Sequence, residues 1–205
     1  MFQNDLRLHS TIRCPVNKSA LRRIPGEPGI WVLLLGDLLA FSVFFFAFVH
    51  ARGQNLDLFT SGHDTLDRSL GLINTILLLT SSLFVARGVH RALHRQPGAS
   101  KLLKLAMACG VGFVGIKAVE YGHKIALGQS PLTDEFYMYY FGLTGIHLAH
   151  VILGLLVLGW MQSVTRDVDL SSDTLVFVES GGLFWHLVDL LWIVLFALFY
   201  ILGAR

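Results

Sequence analysis

The stretch Gly181–Leu202, GGLFWHLVDLLWIVLFALFYIL, constrains this chain more than any other. A helix of about 20 residues, rising ~1.5 Å per residue, crosses the hydrocarbon core of a bilayer. This stretch has that length and is apolar almost throughout, yet it holds His186 and Asp189, three residues apart. On a helix that spacing puts both side chains on one face. A carboxylate at the bilayer centre costs on the order of 2.5–3.5 kcal/mol. The polar face must therefore meet other helices, and those helices must carry polar groups of their own.

Four further apolar runs meet that demand. Spans are expected at about 30–49, 69–89, 102–127, 136–161 and 181–202, joined by polar loops. Charged residues make up 15% of the chain, against about 25% in a soluble domain. The fold class is all-α: a polytopic membrane protein whose 30–203 region is one five-helix bundle behind a polar tail, 1–29, with Pro15, Pro25 and Pro28. No signal peptide is expected, since Met1–Pro28 has no apolar stretch. Cys14 and Cys109 form no disulfide framework and no metal-ligand pair.

Lysine and arginine set the orientation. With the N-terminus in the cytoplasm, eleven of them fall on inner segments (Arg7, Arg13, Lys18, Arg22, Arg23, Arg87, Arg91, Arg95, Lys101, Lys104, Arg166). Four fall outside (Arg52, Arg68, Lys124, Arg205). The expected C-terminus is therefore periplasmic. Trp31, and the group Phe136, Tyr137, Tyr139 and Tyr140, read as interfacial aromatics.

Asp37, Glu120, His147, His150, His186 and Asp189 stand inside the spans, with Lys117 beside them and Glu179 at the mouth of the fifth. Unpaired, the three acids would cost roughly 8–10 kcal/mol together. They must pair, stay protonated or line a polar cavity. Lys117–Glu120 and His186–Asp189 are the expected intrahelical partners. Four chemical readings are open: haem or copper ligation by the histidines, a proton path, a structural network fixing helix register, and a pocket for lipid head groups or a quinone. Gly110, Gly112 and Gly115 offer a face for close helix contact. No phosphate-cradling glycine loop, nucleophile elbow or nucleic-acid-binding basic helix is present.

Several stretches together resemble subunit III of the haem-copper oxidases: GDLLAFSVFFFAF, INTILLLTSS, KAVEYGHKI, TGIHLAHVILG and FVESGGLFWHLVDLLWIVLF. The resemblance runs from about Gly29 to Gly203 and fits the short, five-helix form. PGEPGIWVLLLGD and LTDEFYMYYFGLTGIHLAH look most like the branch associated with nitric oxide reductase, with subunit III of bo-type quinol oxidases as the alternative. The resemblance implies a non-catalytic accessory subunit of the bacterial inner membrane. It implies no haem or copper of its own, a catalytic haem-copper subunit as partner, bound phospholipid, and support of assembly and proton uptake. It places the family's membrane-embedded acid at Asp37, with Glu120 as a second functional acid. Lys117, His147, His150, Glu179, His186 and Asp189 become the polar network, and Arg166 a lipid-phosphate contact.

Overall fold

The computed structural model describes residues 26–202, and the rest of the expected tail lies outside them. The elements are α1 (Pro28–Gln54), α2 (Leu56–Asp64), α3 (Arg68–Leu93), α4 (Ala99–Ala126), α5 (Glu135–Val164) and α6 (Ser172–Phe196). A π-helical turn, Ala197–Ile201, continues α6. Five of these are long and apolar enough to cross a membrane: α1, α3, α4, α5 and α6 with its π turn.

Local chemistry sets the helix starts. Pro28 opens α1, where its missing N–H costs nothing. Asp67 caps α3 by accepting from the N–H groups of Ser69 and Leu70, Asp134 caps α5 through Tyr137 N–H, and Ser171 caps α6 through Thr174 N–H. Gly98 turns into α4 at φ 92°, which only glycine adopts freely.

α3, α4, α5 and α6 form a closed ring in which each helix packs on the next. α1 lies outside the ring, leaning chiefly on α6 and α2. Two expectations are corrected here. The loop between the first two spans contains α2, whose Phe59 and His63 are buried. Nine residues are too few to hold a helix without tertiary contacts, so local sequence does not announce it. α6 also begins at Ser172, nine residues before the expected 181. The Gly181-Gly182 pair looks like a break but serves close packing: a Cβ on Gly181 would lie 2.6 Å from Met161 Sδ, and one on Gly182 2.9 Å from Val89.

The expected aromatic belt at the start of α5 is corrected as well. Phe136, Tyr137 and Tyr140 are buried, and Phe136 packs edge-on against Phe59. The presence of α2 accounts for this, since it covers what would otherwise be an interface. Of the expected glycine face, Gly110 meets Leu155 and Trp185 and Gly112 faces Leu77, while Gly115 faces open space.

Candidate functional site

Three groups of polar side chains inside the bundle hold the expected ionisable residues, with His147 apart from them. The deepest is built on Lys117 and Glu120, one turn apart on α4. Lys117 Nζ donates to Glu120 Oε2 at 2.9 Å, to the Tyr200 hydroxyl at 2.9 Å and to the Tyr140 hydroxyl at 3.3 Å. Both hydroxyls then donate to Glu120 Oε1, at 2.6 Å from Tyr200 and 2.8 Å from Tyr140. The three ammonium protons are all used, and Trp192 presents its ring 4.9 Å from Nζ. Tyr200 reaches the group because the π turn directs Phe199 and Tyr200, consecutive residues, into the core. Gly71 on α3 leaves room for the Tyr200 ring, which would lie 2.8 Å from a Cβ there. A buried ion pair closed by two hydroxyls avoids the cost of an unpaired charge.

The second group joins α1 to α5. Asp37 Oδ2 lies 3.6 Å from His150 Nε2, and His150 Nδ1 bonds the Ile146 carbonyl at 2.9 Å. Phe41 packs edge-on against the His150 ring.

The third group joins α3 to α6. Ser82 Oγ and His186 Nδ1 are 2.6 Å apart. The expected His186–Asp189 pair is corrected: no hydrogen bond joins them. Asp189 Oδ1 is buried without a hydrogen bond. Ser82 on the neighbouring helix offers a shorter reach than a side chain one turn along the same helix.

His147, one turn before His150, points into the ring, against Trp192 and edge-on to Phe113. Neither of its ring nitrogens has a hydrogen-bond partner. Among the described residues, no three His, Cys, Asp or Glu side chains converge as a metal-ligand set.

A family model described as cytochrome c oxidase subunit III matches residues 5–204. The chain belongs to that family. It is 31% identical over 186 residues to cytochrome bo(3) ubiquinol oxidase subunit 3 of Pseudomonas aeruginosa, covering 86% of this chain and 84% of that one. It is 30% identical over 181 residues to cytochrome c oxidase subunit 3 of Alkalihalophilus pseudofirmus, with 86% of each covered. A quinol oxidase subunit 3 of Bacillus spizizenii is 29% identical over 182 residues, with 85% of this chain and 86% of that one covered.

Two expected positions remain, Glu179 and Arg166. Glu179, in the second turn of α6, accepts from Gly26 N–H at 2.8 Å, and Ser180 Oγ accepts from Glu27 N–H at 2.9 Å. Together they pin the start of α1 rather than join the deeper network. Arg166 is exposed in the α5–α6 loop and lines no part of the cleft described next. Between α1, α5 and α6 lies an open, largely apolar cleft of 580 Å³, lined by Ile30, Leu33, Leu153, Trp160, Phe177 and Phe184 among others.

Sequence reasoning missed the network roles of Tyr140, Tyr200 and Lys124. Lys124 is buried, and its Nζ bonds the Thr65 carbonyl and, at 3.0 Å, the Thr65 hydroxyl, which meets Tyr137. A signal existed for Lys124, since it lies seven residues, two turns, after Lys117 and so on the same face of α4.

Proposed function

We propose that this chain is a non-catalytic accessory subunit of a bacterial respiratory haem-copper complex. It sits in the inner membrane with its N-terminus in the cytoplasm and carries no haem or copper of its own. Family membership across nearly the whole chain is the observation that carries this reading. The internal chemistry supports it: the deepest ionisable group, Lys117–Glu120, is closed by Tyr140 and Tyr200, which suits holding a bundle together. The role is to stabilise the assembled complex and sustain its proton uptake, with Asp37 and Glu120 as the functional acids.

The apolar cleft between α1, α5 and α6 takes a phospholipid acyl chain in this proposal. Its lining is hydrocarbon and it opens outward, as a lipid tail requires.

Purification of the tagged chain from its native membrane in mild detergent tests the reading. A haem-containing subunit should come with it, and phospholipid should remain after extensive washing. A chain that purifies alone, or shows a Soret band when separated from every partner, overturns it. The same preparation reads the finer assignment. PGEPGIWVLLLGD and LTDEFYMYYFGLTGIHLAH favour a nitric oxide reductase association, whereas the relatives named above are oxidase subunits. Consumption of nitric oxide by the complex supports the first, and consumption of oxygen the second.

A further inference from the structure

Of the three intramembrane polar groups, only one is left incomplete on the outside of the bundle. Lys117 and Glu120 are enclosed and satisfied. Asp37 and His150 are partly exposed but face each other. At the seam of α3 and α6, by contrast, Ser82 and His186 are partly exposed, and His186 Nε2 has no hydrogen-bond partner among the described residues.

Depth makes this costly. His186 is at the midpoint of the Ser172–Ile201 span, and Ser82 is near the middle of Arg68–Leu93. Antiparallel contacts on either side fix the level: Gly182 lies against Val89, and the Trp192 indole donates to Thr75 Oγ1 at 3.1 Å. An imidazole nitrogen at that depth finds no water, and an unsatisfied polar group facing acyl chains is penalised. Val111, Val119, Ile152 and Leu156, exposed on α4 and α5, are by contrast apolar and suit lipid.

We infer that the outer seam of α3 and α6, centred on His186 and flanked by Leu79, Leu83, Leu190 and Ile193, is the face that docks on the catalytic subunit. The occupant is a transmembrane helix of that subunit carrying a hydrogen-bonding side chain opposite His186 Nε2. The apolar flank packs against the helix, and the imidazole sets its register, as single polar groups do in membrane interfaces. This inference rests on the accessory-subunit reading and adds to it the face and the contact.

Photo-crosslinking in the intact complex tests it. Benzoylphenylalanine is placed singly at Leu83 or Leu190 on the seam, and at Val119 on α4 as the contrast, all three exposed. Crosslinks to the haem-containing subunit are expected from positions 83 and 190 and not from 119. Crosslinks from 119 alone, in a complex that still co-purifies, overturn the docking face and leave the accessory role standing. Failure of any haem subunit to co-purify with the unmodified chain overturns both. As a second measurement, His186→Leu should reduce the haem subunit retained on purification severalfold, with the thermal transition of the separated chain little changed. Full retention in that variant removes His186 from the contact.

Discussion

At the scale of single residues, the closed group around Lys117 makes the sharpest statement. Lys117→Met leaves Glu120 buried at bilayer depth without its cation, and breaking one half of such a pair costs about 3–5 kcal/mol. Removing both with Lys117→Met and Glu120→Met should cost less than the sum of the single changes. Thermal denaturation of the four proteins in detergent, read as a double-mutant cycle, measures that coupling. His147 predicts the opposite behaviour. Its ring is fully buried between aromatic rings and neither nitrogen is bonded, so His147→Phe should be neutral or stabilising in the same assay. A loss of about 2 kcal/mol there, the size of a broken buried hydrogen bond, would reveal a partner for the imidazole.

At the scale of elements, packing and one titration stand out. The Trp185 indole lies between α4 and α5 because Gly110 and Gly154 make room: a Cβ on Gly154 would be 2.7 Å from the ring. Gly154→Val should destabilise by about 1–3 kcal/mol through overpacking. Gly115→Ala meets nothing within 4 Å and should stabilise α4 slightly. Thermal shifts of the two variants compare these directly. α2 carries the titration. His63 bonds the Phe199 carbonyl at 2.7 Å and so ties α2 to the π turn. Burial pushes its imidazole below the ordinary 6.5, and Arg52 and Arg68 push the same way against the Phe199 bond. The folded state thus resists a proton that the unfolded state accepts. Stability from this group is complete above about pH 6.5 and falls as pH drops from there toward the lowered folded value. Protection factors of the amides across 56–64, corrected for the intrinsic rate at each pH, should fall over that window, and His63→Gln should flatten the dependence.

At the scale of the whole molecule, the ring of α3–α6 and the outlying α1 are held very differently. α1 is fixed at its start by Glu179 and Ser180 and part-way along by Asp37 and His150, with little packing between. Glu179→Ala should loosen the start of α1 and leave the ring intact. Hydrogen exchange should then rise over 28–36 and stay unchanged in α3 and α4, and the cleft beside α1 should retain less phospholipid. Uniform loosening of all helices would show that α1 is part of one cooperative unit with the ring.

Composition and the spacing of apolar runs determined the fold class and the five spans, because a bilayer accepts few backbone solutions and each requires a long apolar helix. The Lys117–Glu120 pair was equally legible, since partners one turn apart need no knowledge of other helices. Pairing between helices was not legible. Asp37 with His150, Ser82 with His186 and Tyr200 with Glu120 join residues 80 to 113 positions apart, and only packing sets which faces meet. The same holds for α2 and for the buried aromatics of α5: each is stable only against the other, so neither stretch announces its state alone.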